Sequence, residues 1–492
     1  MKRAIMRRFI QSQTHLAGIV VLVLFGLLYL LIGPVNHLMF RTYALDLGAY
    51  THASWCYGHG ILPDRSLFRA DTDPMLSDHF DLMLMLWSPL TWVFGEWTLL
   101  LVQISAVLFG ALGVLRLTRS ITGDAVISIL AMSAMLGFFG VFTALSFDYH
   151  SNVVAAMLLP WWLLAHKQGH KTWSWVFLIL MLVAKENMGI WLFAVCLASL
   201  ALPFLREVRV RTLLFQAALS LMWSLVVIRL IMPWLDSSGE YHLANAFLPK
   251  DPMSAGLLDL LMPLIHDVNG AHPLGDRIKL EWYLVIFVSG GWALIRNWPY
   301  LVMSLPLIAQ KMLHQDPAKW GLFDQYSVEF AVILPLAAFT WIARMPDLRW
   351  RHRAGGITLL LVLAGTFHAL YLPEEHRDPM HGAHDRLRFW SMGHFRPVFD
   401  RDVASRLLSK VPDGAPVSTM PPLVPHLVER EYLYQFPLIG NSEFILLVRH
   451  AYPWPMTFEE YTQQIDWLMN SREWALVHEE AGFLLFARTS QG

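Results

Sequence analysis

From Leu16 to Ile32 the chain carries no charged residue, and this run follows a basic start at Lys2, Arg3, Arg7 and Arg8. Such a stretch approaches the ~20 apolar residues that an α-helix needs to cross a bilayer, and basic flanks stay on the cytoplasmic side. It imitates a secretory signal, but no small-x-small cleavage site follows, so it reads as an uncleaved first span. Everything downstream takes its side of the membrane from this assignment. With 55% hydrophobic residues, 15% charged residues and a mean hydropathy of +0.44, the chain has more apolar surface than one soluble core can absorb. The expected fold class is an all-α polytopic membrane protein.

The net charge of −1 gives no electrostatic case for a nucleic-acid partner. Cys56 falls in a polar interval and Cys196 inside an apolar run, so neither a disulfide framework nor a thiolate metal site is expected. The abundant aromatics suit headgroup depth, where amphipathic rings settle.

Positive loops set the orientation. Span 15–33 leads outward to a first outer loop at 35–80, where Asp46, Asp64, Asp71, Asp73 and Asp78 outnumber Arg41, Arg65 and Arg69. The next apolar piece, Leu82 to Phe94, is short and contains Pro89; it is assigned as an outer-surface or re-entrant helix, since a full crossing there would invert all that follows. Spans at 97–117, 124–145, 151–165, 173–184, 188–204 and 212–234 then place the basic loops at Arg116 to Arg119, His166 to Lys171 and Arg206 to Arg211 inside. A second outer loop covers 236–280. Spans at 281–295, 299–312, 321–343 and 355–372 complete about eleven transmembrane helices in alternation with basic loops. The transmembrane domain thus occupies 1–372, with the N-terminus cytoplasmic. Residues 373–492 change character, alternating short strands (416–419, 444–448, 474–477, 483–487) with helices (401–408, 461–469), and form a small C-terminal α/β soluble domain on the extracytoplasmic side.

On this map Asp46, Asp78, His79, Asp81, Asp148, His150, Lys185, Glu186, Arg229 and His314 all reach the outer face. Carboxylates beside an apolar span are costly unless hydrated, paired or metal-bound, which makes them functional candidates. Asp46, between Leu45 and Leu47 and before Gly48, suits a general base that takes a proton from an acceptor hydroxyl; it suits equally a helix N-cap ahead of residues 48–55. Asp78-His79 and Asp148-x-His150 each pair a carboxylate with an imidazole, as an acid/base pair or as hard ligands of a divalent cation, and Asp46, Asp78 and His79 are the residues a Mg or Mn ion would take. Lys185-Glu186 reads as an ion pair at a turn or as a phosphate contact; Arg229 either snorkels to the interface or meets a lipid-linked phosphate.

The order Leu45-Asp-Leu-Gly48, Trp55, Gly58-His-Gly60, Ser77-Asp-His-Phe80, Pro89, Gln103, Phe147-Asp-Tyr-His150 and Ala184-Lys-Glu186, followed by Val411-Pro-Asp-Gly-Ala-Pro-Val417, Pro425-His-Leu427 and Tyr434-Gln-Phe-Pro437, resembles a prokaryotic family of predicted membrane proteins known as domain of unknown function 2079. That family is grouped with the GT-C superfamily of integral-membrane glycosyltransferases. The resemblance implies a GT-C-like multi-span fold, an outward active site, an acid in the first outer loop and a sugar donor carried on polyprenyl phosphate. The acid falls on Asp46. Many superfamily members show two adjacent acids where this chain has Asp46 followed by Leu47, so Asp78 is the candidate for the second carboxylate.

The function expected is therefore glycosyl transfer from a polyprenyl-phosphate sugar donor to a glycan, lipid or protein acceptor, with Asp46 and Asp78 as catalytic residues. His79, Asp148, His150 and Glu186 would position substrate or a metal; Lys185 and Arg229 would stabilise the departing phosphate. Two other classes compete: a transporter or flippase of a lipid-linked or small polar solute, and a non-catalytic scaffold in envelope assembly. A transporter would place polar groups near the bilayer midplane, whereas the sequence places them at one face.

Overall fold

The computed structural model describes residues 2–247, 256–372 and 383–489, with the side chains of the first helical turns outside that description. Part of the expected second outer loop and the junction expected at 372–373 therefore lie at or beyond its edges. The chain folds as two compact units, the first made of residues 1–32, 103–231 and 241–379, the second of 33–102, 232–240 and 380–492. The C-terminal residues are thus grouped with most of the first outer loop.

The first unit is helical. Among the described residues, six helical segments, most of them largely within this unit, are long and apolar enough to cross a membrane: Leu16–Leu38, Met83–Thr122 (interrupted at Gly95–Trp97), Ala125–Ser146, Val210–Leu235, Gly275–Arg296 and Leu348–Tyr371. Three shorter apolar helices accompany them, Lys171–Leu182, Met188–Ser199 and Phe330–Ile342. The outer stripe of the first helix (Ile19, Val23 and Leu27, four residues apart) is exposed, while Tyr29 turns inward and donates its hydroxyl to the carbonyl of Leu136 at 2.6 Å. Apolar exposure of this kind is what hydrocarbon would cover. Phe330–Ile342 is buried on every side apart from Trp341, as a helix apolar all round must be. Helices Met188–Ser199 and Val210–Val226 approach closely at Gly189, where a Cβ would stand 2.0 Å from the carbonyl oxygen of Ser220. Asp124 caps Ala125–Leu136 by accepting from the amides of Val126 and Ile127, and also meets His352 at 3.0 Å.

The helix Met83–Phe94 belongs to the second unit and is stopped by Gly95, whose φ of 52° an L side chain rarely adopts. At 12 residues it is about 18 Å long, too short for a ~30 Å hydrocarbon core. Trp92, Val93 and Phe94 are exposed, which suits a helix lying in an interface.

The rest of the second unit is built on a five-stranded mixed sheet in the order β2-β1-β3-β5-β4, with β1 Val417–Thr419, β2 Leu433–Gln435, β3 Phe444–Val448, β4 Trp474–Glu480 and β5 Phe483–Arg488. Central β1 runs parallel to β2 and β3, pairing Val417 with both Leu433 and Phe444, and the β4–β5 hairpin closes the edge antiparallel to β3. The amphipathic helix Phe458–Asn470 turns Tyr461, Ile465 and Leu468 inward and starts at a Thr457/Glu460 capping box. This sheet is fastened to the first outer loop inside the same unit. The amide of Gln435 donates to the carbonyl of Leu67 at 2.6 Å, the ring of His52 meets the carbonyl of Arg430 at 3.0 Å, and Arg41 donates to the carbonyls of Gly393, His394 and Arg396.

Candidate active site

In the second unit, Asp46 sits inside a single π-helical turn, Ala44–Gly48, that runs straight into helix Ala49–Gly58. The N-cap of that helix is Gly48, with no side-chain capping bond, so Asp46 is not a cap. It is a half-buried carboxylate in the first turn of a helical segment, where unsatisfied amides favour negative charge. Single π turns within helices recur at functional sites. Gly48 permits the fit: a Cβ there would stand 2.8 Å from the side chain of Val424.

Asp78 follows the 3-10 turn Met75–Ser77 and accepts from Arg69 at 2.9 Å; His79 is half-buried beside it. Asp81 has a structural task, accepting from the amide of Met83 at 2.9 Å at the start of the interfacial helix. Arg65 stands out only in the structure. Its buried guanidinium donates to Asp71 at 3.0 Å, Asp73 at 2.7 Å and Asp236 at 2.8 Å, gathering three carboxylates around one cation. The surplus of acids near Arg65 along the chain is the available signal, but the partner at 236 is too distant in sequence to be inferred. Burial pushes the Asp236 carboxyl up, yet hydrogen bonds from Ser238 and Arg65 outweigh it and hold it well below the usual carboxylate range. Asp73, accepting from Ser237 and paired with Arg65, is lowered too.

In the first unit, Asp148 is buried with φ of 57°, a left-handed conformation that is costly for a residue with a side chain. Gln103 secures it by donating to the Asp148 carbonyl and accepting from the His150 amide, both at 2.8 Å, and His150 stacks on Phe147 at 5.6 Å. Strain of this kind persists where surrounding structure over-determines it, often at functional positions. Lys185 and Glu186 form the turn between helices Lys171–Leu182 and Met188–Ser199; Glu186 is buried and its carbonyl accepts from Ser224 at 2.6 Å. Arg229 lies on a π-helical turn, Val227–Ile231, with its side chain exposed. Burial and the charge of Lys319 push the His314 imidazole down to about 4, so it is neutral at pH 7, with Nδ1 accepting from the Asp316 amide at 3.0 Å.

The structure thus brings Asp78 and His79 together on one segment, Asp148 and His150 on another, and Lys185 and Glu186 on a third. A cavity of about 920 Å³ in the first unit holds none of them; Arg116, Arg119, Trp161, His170 and Trp173 line it, at the basic-loop ends of the helices. Among the described residues, the group able to offer three metal ligands at one point is His37, Glu96 and His426, not Asp46, Asp78 and His79.

Apolar helices of spanning length and a sheet-bearing unit with an acid in the π turn that enters helix Ala49–Gly58 define a polytopic membrane protein with a small C-terminal β-sheet domain. The chain belongs to the family described as "Predicted membrane protein (DUF2079)", which it matches over residues 36–485. Its fold is like that of ArnT from Cupriavidus metallidurans. The structure of ArnT bound to undecaprenyl phosphate aligns with a TM-score of 0.54 at 13% identity, covering 96% of this chain and 98% of ArnT. The apo structure gives 0.51 at 14% identity with the same coverage. No curated protein matches the sequence. The likeness to ArnT is one of fold.

Proposed function

We propose that this protein is a membrane glycosyltransferase that takes a sugar from polyprenyl phosphate at the extracytoplasmic face, with Asp46 as general base. The observation that carries the reading is a fold likeness running nearly the whole length of both chains to a protein solved with undecaprenyl phosphate. The placement of Asp46 adds to it. The π turn gives its helix an irregular start against which an acceptor can lie.

In the step proposed, the acceptor hydroxyl oxygen attacks the anomeric carbon of the donor while its proton passes to the Asp46 carboxylate. The bond between the anomeric carbon and the phosphate oxygen breaks, and polyprenyl phosphate leaves with the electron pair and the negative charge. Asp78, paired with Arg69, positions substrate beside His79. Fixed cations are what the developing phosphate charge needs.

Incubation of the purified protein with polyprenyl-phosphate hexose and pentose donors, with and without candidate acceptors, separates this from the flippase reading. An enzyme converts glycosylated lipid into free polyprenyl phosphate. A flippase carries the donor across vesicles and leaves it chemically intact, and that result would displace the proposal.

A further inference from the structure

His37, Glu96 and His426 come from three distant stretches of the second unit: the short helix Gly33–Leu38 after the first long helix, the 3-10 turn Gly95–Trp97 after the interfacial helix, and the turn Val424–His426 beside β1. Each offers a ligand atom within 4.8 Å of the other two. Nε2 of His37 lies 3.5 Å from one oxygen of Glu96, and Nδ1 of His426 lies 3.5 Å from the other. Both distances exceed the ~2.7–2.9 Å of a charge-assisted hydrogen bond. The first is close to the edge, about 3.4 Å, of a tetrahedron with the ~2.1 Å bonds typical of zinc to imidazole and carboxylate.

Two further observations point to a ligand. His37 is completely buried, yet its Nε2, the nitrogen that faces Glu96, makes no hydrogen bond. A buried polar atom without a partner costs roughly 1–3 kcal/mol, so the fold holds this nitrogen where something else compensates it. The other nitrogen of His37 is 2.9 Å from the hydroxyl of buried Thr42, the kind of outer contact that fixes a metal-binding imidazole's tautomer by accepting its N–H. The geometry points to a zinc-class divalent cation site made by His37, Glu96 and His426.

The chemistry of the donor set selects the ion. Two imidazoles and one carboxylate suit zinc or cobalt, while Mg and Ca favour all-oxygen shells. His37, held by Thr42 and by the edge of Trp97 at 4.6 Å, is the anchor. His426 stacks on it at 4.1 Å with 17° between the rings, so closing around an ion requires the His426 ring to rotate out of the stack, which its place on a short turn permits. The consequence reaches Asp46 through Val424, two residues before His426, which packs against Gly48 in the π turn. A cation here fastens the turn Val424–His426 beside the helix that carries Asp46 and so acts as a positioning element, outside the chemical step.

The test uses the full chain purified in detergent without a polyhistidine tag. Elemental analysis is expected to find close to one zinc per chain, and His426→Gln to lose it. Cobalt substitution is expected to give the intense visible bands of a four-coordinate site, absent in His37→Gln. Thr42→Val keeps all three ligands, so it is expected to fold and to bind zinc roughly 10–100-fold more weakly. Chelation should lower the thermal midpoint of the wild type and added zinc restore it, while His426→Gln melts at one temperature in both conditions. Wild-type protein with no more zinc than His426→Gln, an unchanged midpoint on chelation or zinc addition, or unaltered affinity in Thr42→Val would each overturn the site.

Discussion

Asp148 and Asp236 show how one residue type serves opposite ends. Asp148 is held in a left-handed conformation by Gln103, at a strain cost of about 1–3 kcal/mol for a non-glycine residue. Asp148→Gly should relieve that strain, folding at least as stably as the wild type while removing the carboxylate from the candidate set. Asp148→Val should lower the thermal midpoint, because a β-branched residue fits that backbone worst. A glycine variant melting well below the wild type would mean that the side chain, not the backbone, is what the fold needs. Asp236 serves the Arg65 cluster, and its pH behaviour follows from its lowered pKa. A carboxyl with a folded pKa below its unfolded ~3.9 contributes stability in full above the unfolded value and loses it as pH falls toward the folded one. Thermal midpoints of the wild type should therefore fall below pH ~4, and Asp236→Asn should flatten that acid limb while starting from lower stability at neutral pH. Identical acid slopes in the two proteins would contradict the assignment.

Helix packing sets a different kind of constraint. At Gly189 the approach of two helices leaves no room for a methyl group, since its Cβ would lie 2.0 Å from a backbone oxygen. Gly189→Ala must separate Met188–Ser199 from Val210–Val226, at a cost of about 1–3 kcal/mol or more, read as a lower thermal midpoint or loss of soluble folded protein in detergent. Gly356, on Leu348–Tyr371, has nothing within 4 Å of an added Cβ, so Gly356→Ala should be neutral or stabilising by up to about 1 kcal/mol. Much at this level could be read from the residues: Arg401–Leu408 and Phe444–Val448 fall where their periodicity places them, and the short, proline-containing Met83–Phe94 stands as a separate helix. What could not be read is where helices loosen. The π turns at Ala44–Gly48 and Val227–Ile231 come from tertiary packing and leave no periodic trace. Strand β2 escaped for a related reason, since its three residues are too few to show alternation and pair only through β1.

At the scale of the whole molecule, the compact units do not follow chain order. A boundary at 372–373 suits the change of composition there, but residues 33–102 and 232–240 join the C-terminal sheet in one compact unit, held by Arg41, His52, Arg65 and Gln435. Such long-range hydrogen bonds have no local signature, which is why the acids of the outer loops read as candidate chemistry when several of them, Asp71, Asp73, Asp81 and Asp236, are structural. Asp46 is different. Its motif lies in the π turn that enters helix Ala49–Gly58, where Tyr43 and Gly48 hold the N-cap positions. On that carboxylate the proposed chemistry depends. Its test is the rate at which wild-type protein and Asp46→Asn, both verified as folded by matching thermal midpoints, release polyprenyl phosphate from a glycosylated donor in the presence of acceptor. Loss of a general base predicts a rate lower by about 10²–10⁴-fold with donor binding retained; equal rates in the two proteins would remove Asp46 from the chemistry.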